Sequence, residues 1–401
     1  MIILPFKFRD VIHDFIEFPN NDIGKLAVSL MQTRAFQRLR NLSQLGMAKY
    51  IYPCSEHSRY SHSLGAFFLC QRVFTILKEK NRLQNISEID ILSTCLTALL
   101  HDIGHGVFSH ASEIMWNFKH EELTCKLIDK DIEISEILKN YSSDFSLGEK
   151  IISILTGQNL DDDKYFLHDI ISSQLDVDRM DYILRDSHMT GVYYGNFDLN
   201  WILNHLNVAK FKGKQRLVIE SKATHAVEQY LTARFYMYRN VYEHKTARIF
   251  EVMLQAIVSE AKKLDDELLK KYNITWLKTP NFDDLESFKL LDDYKMWEVI
   301  KTIAYSDDFE GHIKDLSLDI LSDRRWELEK KQNTSNKSGF VNDLYYAKMK
   351  PSKFYDPESD KQILILVKDF EEPKLLSDLG KFVSINKKTD REELFVIKRT
   401  K

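Results

Sequence analysis

Proline and glycine are scarce, at seven and 13 of 401 residues, which argues against long disordered stretches. Cysteine is scarcer still. Cys54, Cys70, Cys95 and Cys125 stand apart, with no CxxC pair among them, so neither a disulfide framework nor a zinc knuckle is indicated. Reduced, buried thiols and a cytoplasmic location are the expectation. No apolar run reaches the ~18 residues that a membrane span needs, and the opening MIILPFKFRD is too short an apolar stretch for a signal peptide. A net charge of -4 supplies no global basic field, so a nucleic-acid partner is not indicated. A Walker-type GxxxxGK[ST] segment, internal repeats and low-complexity tracts are also missing. What remains is an ordinary globular composition, 44% hydrophobic and 29% charged, long enough for one large domain with an appendage.

The first residues, FKFRDVIHDFIEFPNN, alternate apolar and polar positions before Pro19 and two asparagines, which predicts a short strand or hairpin ending in a turn. From about Asn21 to Glu260 the apolar period changes to three and four, as in LAVSLMQTRAFQRLRNL, AFFLCQRVFTILKE and ISEIDILSTCLTALLHDIGH, and this predicts helices throughout. Ser87 followed by Asp90 reads as the cap of the helix that ends at HDIGH. Two polar stretches, Lys263 to Glu286 and Glu329 to Gly339, read as loops or boundaries. Beyond them KQILILVKD and ELFVIKR are β-rich and are expected to pair in a small sheet. The fold expected is therefore mainly α, with a helical core over 1–262, a short N-terminal β-hairpin and a smaller C-terminal α+β lobe over 263–401.

Six of the 13 histidines (His57, His62, His101, His105, His110 and His120) fall within 64 residues, outside any tag-like tract. His101 and Asp102 are adjacent at a predicted helix end, directly before Gly104 and Gly106, so an imidazole and a carboxylate can project into one cavity. An HD dipeptide alone carries little weight, because His13-Asp14 and His168-Asp169 are HD pairs too.

Four motifs in order narrow the reading: RYSHSLG (Arg59 to Gly65), HDIGHGVFSH (His101 to His110), HEE (His120 to Glu122) and LDVDRMDYILRD (Leu175 to Asp186). Together they resemble the HD-superfamily deoxynucleoside triphosphate triphosphohydrolases, in the branch that contains the animal sterile-alpha-motif/HD-domain enzyme and its bacterial relatives. RDVIHDFIEF, FQRLRNLSQLG and YRNVYEHK extend the resemblance from Phe6 to Lys245. It implies an HD-domain core whose metal ligands are His62, His101, Asp102 and Asp178. Two imidazoles and two carboxylates suit Mn, Mg, Fe, Co or Ni. It also implies a catalytic histidine at His110, supported by His120 and Glu113, where relatives carry Asp at the last position.

The same resemblance assigns Arg59, Arg179 and Arg234 to the triphosphate, with Arg179 standing where the animal enzyme has Lys, and Gln44, Tyr182, Asp186 and Tyr242 to a deoxyribose. His244 and Lys245 match without individual roles. Glu220 and Trp201 fall where basic residues bind activating nucleotides in the animal enzyme, so such activation is not carried over. The expected reaction converts a dNTP to deoxynucleoside and triphosphate in a dimer or tetramer of this chain. A phosphodiesterase, nucleotidase or single-strand nuclease on the same scaffold, or a nucleotide-sensing regulator, remain alternatives.

Overall fold

A computed structural model describes residues 4–141, 146–331, 339–341, 344–349, 362–367, 372–379 and 393–399. Strands β1 (Phe6–Asp10) and β2 (Asp14–Phe18) form the expected antiparallel hairpin, in the register Phe6↔Phe18 and Phe8↔Ile16. Alternation sends its aromatic face inward, where Phe18 stacks on Phe67 with ring centroids 5.1 Å apart. Asn21 then caps helix α1 (Asp22–Met31). Helix α2 (Arg59–Glu79) is buried on nearly every side and forms the axis of the larger core.

Helix α3 (Glu88–Leu100) starts with the expected reciprocal Ser87–Asp90 cap and delivers His101 as its last capping residue. Asp90 is fully buried and also receives Lys150 at 2.6 Å and Lys164 at 3.2 Å. Burial opposes its ionisation, but Lys150 and Ser87 hold its carboxyl down to about 2. Because that value lies below the unfolded one, the stabilisation is present above about pH 4 and is lost as pH falls towards 2. Asp90→Ala should cost about 2 kcal/mol near neutrality. Urea midpoints should show the gap from wild type shrinking between pH 6 and pH 3; a pH-independent gap would mean that the cap alone matters.

After α4 (His110–Trp116), α5 (His120–Lys130) and α6 (Val177–Thr190) the chain departs from the all-helical expectation. Strands β3 (Leu206–Phe211) and β4 (Lys214–Glu220) make an antiparallel hairpin inside the stretch read as helical. Its two-residue turn is Lys212-Gly213, both with positive φ, which matches the right-handed twist of paired strands. Helices α7 (Thr224–Met237) and α8 (Lys245–Ala261) follow. The Lys263 to Glu286 stretch is more structured than a loop, since it contains the helix Asp266–Lys271 and a single 3-10 turn, with Leu269 and Leu277 buried.

Helices α9 (Asp293–Tyr305) and α10 (Gly311–Leu321) pack with α8 around a second core. A sheet in the order β5 (Glu327–Lys331), β10 (Glu393–Lys398), β7 (Leu344–Met349), β6 (Gly339–Val341) lies beside it. Among the described residues the two β-rich runs do not pair with each other. ELFVIKR supplies β10 of that sheet, whereas KQILILVKD supplies β8 (Leu364–Leu366), which runs parallel to β4 and extends the internal hairpin, followed by β9 (Lys374–Leu375). Ile363 and Ile365 thereby bury themselves in the first core rather than the second. Most of the Glu329 to Gly339 stretch lies outside the described residues. Among the described residues no helix is long and apolar enough to cross a membrane.

Candidate active site

Three helices converge on four donor side chains. Arg59 and His62 stand one turn apart at the start of α2, so they share a face. His62 donates from Nδ1 to Asp181 Oδ2 at 2.8 Å, and His101 donates from Nδ1 to the Ala98 carbonyl at 2.8 Å. Each ring is thus held with Nε2 turned towards the other, 3.3 Å away. Asp178 Oδ1 lies 3.0 Å from His62 Nε2 and 3.6 Å from His101 Nε2. Asp102 completes the group, its oxygens 3.7 Å from His62 Nε2 and 3.4 Å from His101 Nε2.

Donor atoms of His62, His101 and Asp102 lie within 4.8 Å of one another, as the ligands of one divalent ion do, and Asp178 stands beside both imidazoles. The charges agree. Burial disfavours a charged His62, yet Asp178 and Asp181 push it up to about 10; burial likewise opposes ionisation of Asp178, yet His101 and His62 hold its carboxyl low. The carboxylates beside the two imidazoles favour positive charge between the donors, and a divalent ion supplies it. The donor set fits a metal ion.

Two glycines in the motifs are explained by close approach. A Cβ on Gly65 would lie 1.9 Å from Asp181 Oδ1, so only glycine lets that carboxylate reach His62. Asp181 also accepts from His13 Nε2 at 2.7 Å and from Arg185. Asp181→Asn turns one acceptor into a donor facing a donor, and metal affinity is expected to fall roughly 10- to 100-fold. Calorimetric titration with Mn checks this, and unchanged affinity would show that His62 is oriented without it.

A Cβ on Gly104 would lie 2.2 Å from the His120 carbonyl, so glycine admits the start of α5 and brings His120 into the site. There Glu113 Oε1 accepts from His110 Nδ1 at 2.7 Å and from His120 Nδ1 at 3.0 Å. Burial works against the Glu113 charge, but these two imidazoles hold its carboxyl well below the usual range. The longer side chain of Glu bridges both rings with one oxygen. His105, stacked on His120 at 3.7 Å, is kept neutral by burial, Arg59 and His120. His110 itself is 70% exposed along its side chain, with its second nitrogen left over for a substrate. Phe108 and Ser109, just before it, both have positive φ, a strain of about 1–3 kcal/mol each.

A cavity of about 580 Å³ joins these parts. Its walls include Arg59, His101, Asp102, Asp178, His110, Glu113 and His120, with His62 buried beneath. Gln44, Arg179, Tyr182, Asp186 and Tyr242 line it too. Asp186 accepts from Tyr242 Oη at 2.8 Å and pairs with His57 at 2.7 Å. Arg59 donates to Asp102 at 2.5 Å, and Arg179 pairs with Asp176.

Arg234 is the exception. It is 2% exposed, does not line the cavity, and donates to Gln174 at 2.8 Å. The other two HD pairs are structural: His13 supports Asp181, His168 bonds the Ile154 carbonyl at 2.8 Å, and Asp169 pairs with Arg216. His244 caps α8, Glu220 pairs with Lys80 at 2.8 Å, and neither these nor Lys245 and Trp201 line the cavity. Tyr238, Arg248 and Glu251 do line it, unanticipated. Tyr238 stands four residues before Tyr242, a helical spacing that could have flagged it; Arg248 and Glu251 carry no such signal.

The family model described as HD domain matches residues 59–186, and that described as HD associated region matches residues 197–304. The chain is 37% identical over 261 residues to the uncharacterized protein YwfO of Bacillus subtilis, covering 65% of this chain and 57% of that one. It is 29% identical over 336 residues to the human deoxynucleoside triphosphate triphosphohydrolase SAMHD1, covering 75% of this chain and 51% of that one. The match thus spans little more than half the length of these relatives. A crystal structure of a phosphohydrolase from Bacteroides thetaiotaomicron superposes with a TM-score of 0.79 at 27% identity, covering 99% of this chain and all of that one.

Proposed function

Because the chain belongs to the HD-domain family, we propose that it is a divalent-metal-dependent phosphohydrolase that cleaves deoxynucleoside triphosphates to deoxynucleoside and inorganic triphosphate. One observation carries this reading: a single cavity is lined by His101, Asp102 and Asp178, with His62 buried beneath them, by the His110–Glu113–His120 cluster, by Arg59, Arg179 and Arg248, and by a wall of tyrosines. A bound Mn, Mg, Fe, Co or Ni ion would polarise a phosphoryl oxygen there. Arg59 and Arg179, each already paired with a carboxylate, bring positive charge to the wall that would face the phosphate tail. His110 donates a proton to the departing 5'-oxygen, while Glu113, kept ionised, fixes its tautomer and stabilises its charged form. Gln44 and Asp186 supply polar contacts to the sugar, and Tyr182 and Tyr242 wall off the space a 2'-hydroxyl would need. Arg234 acts from behind, through Gln174 and the Tyr238 ring 5.6 Å away. Assembly of two or four copies belongs to the same proposal, with exposed Tyr193, Trp201 and Tyr236 as surface for it.

The test incubates the purified protein with each dNTP and NTP, singly and in mixtures, plus Mn or Mg, and resolves products by chromatography. Triphosphate and deoxynucleoside from dNTPs alone are expected. Monophosphate would move the reading to a nucleotidase or phosphodiesterase at the same site, and no product with bound nucleotide would move it to a sensor.

A further inference from the structure

The strained turn that delivers His110 is held from the second core. Phe108 and Ser109 are consecutive residues with φ of 51° and 57°, a region that side-chain-bearing residues keep only when their surroundings compel it. One contact on this turn comes from Asp293, the first residue of α9. Its Oδ1 accepts from the Phe108 amide at 2.6 Å, and its Oδ2 accepts from the Ser43 amide at 2.8 Å and from the Ser43 hydroxyl. Asp293 is 7% exposed, does not line the cavity, and sits at the start of a 13-residue helix, whose dipole favours a negative charge there.

The contacts continue into the site. Ser109 Oγ donates to the Ser43 carbonyl at 2.6 Å and accepts from Arg59 Nε at 2.7 Å, and Arg59 in turn donates to Asp102. One carboxylate outside the cavity therefore ties together the segment before Gln44, the turn before His110, and the arginine that braces Asp102. Helix α9 itself is anchored by Met296, Val299, Ile300 and Ile303 in the second core, to which Phe108 also belongs.

Building on the hydrolase reading above, we propose that Asp293 is a positioning residue through which the docking of α9 sets the geometry of His110 and Gln44. It touches no substrate. It keeps the 43–44 and 108–110 segments locked to each other, so that the donor nitrogen of His110 meets the leaving oxygen.

Asp293→Asn retains one carbonyl acceptor and so keeps one of the two arms, whereas Asp293→Ala keeps neither. In the full chain, kcat is expected to fall roughly tenfold for Asn and roughly 100-fold for Ala, the scale of a small misplacement of a reacting group, with KM rising by no more than about fivefold as the Gln44 contact loosens and Mn affinity within about twofold. Hydrogen exchange, which needs no substrate, should accelerate in peptides covering 43–46 and 107–112 while α9 and α10 stay protected. If the wild type cleaves no dNTP, the hydrolase reading fails and the exchange experiment still decides the clamp. Unchanged exchange in those peptides in Asp293→Ala overturns the proposal. So does exchange that rises evenly over α9 and α10, because that marks a role in stability alone.

Discussion

Asp178→Ala is expected to lower dNTP turnover roughly 10³- to 10⁴-fold, the several kcal/mol that a Lewis-acidic ion contributes, and to leave the purified protein with less than one divalent ion per chain. Asp178 is the proposed donor contributed by a helix far along the chain from the HD pair, and it approaches both imidazoles, at 3.0 and 3.6 Å. Without it, two imidazoles and one carboxylate remain, and a full charge that offsets the dication is lost. The fold should survive, because Asp176 and not Asp178 caps α6, accepting from the Arg179 amide at 2.8 Å. Metal content by mass spectrometry and circular dichroism, run beside the kinetics, separate loss of ion from loss of structure. Full metal occupancy with wild-type turnover would remove Asp178 from the centre.

His110→Ala should lower kcat by about 10²- to 10⁴-fold, the usual range for a positioned proton donor, while nucleotide and metal affinity stay close to wild type. The geometry supports that split. His110 bonds Glu113 and no residue of the metal donor set, and its exposed side chain contributes little to the core. Nucleotide binding measured in the inactive variant keeps the sensor alternative open to refutation: a wild type that turns over, and a variant that binds but does not, excludes sensing as the sole activity. Unimpaired kcat in His110→Ala would transfer the proton donor to another group, with His120 next in line through the same Glu113 oxygen.

Much of the site was legible along the chain because its chemistry sits in short motifs with helical spacing. HDIGHGVFSH carries two of the proposed ligands and the proposed donor, and RYSHSLG carries an arginine and a proposed ligand one turn apart. The Gly65 and Gly104 positions, which read only as motif letters, turn out to be the places where Asp181 and His120 must come close. Less legible was Arg234, assigned to the phosphate tail by resemblance but pointed at Gln174 instead. Its helix position is the same either way; which neighbour its long side chain meets depends on packing. The β3–β4 hairpin went unread although Leu206 and Val208, and Leu217 and Ile219, recur at the period of two that strands show. The Lys212-Gly213 turn was the overlooked signal.

Local pattern by itself determined the N-terminal hairpin, the Ser87–Asp90 cap, the helical character of the core and the residue types able to hold a divalent ion. These depend on neighbours within a few positions, where backbone geometry fixes which side chains share a face. Tertiary structure alone decided that KQILILVKD joins β4 rather than ELFVIKR, that His13 bonds the Asp181 that orients His62, and that Asp293 reaches across from α9 to the turn before His110. Each of these is a contact between residues distant in sequence. It is selected by which buried polar groups and apolar faces must be satisfied together, and no periodicity along one segment records that choice.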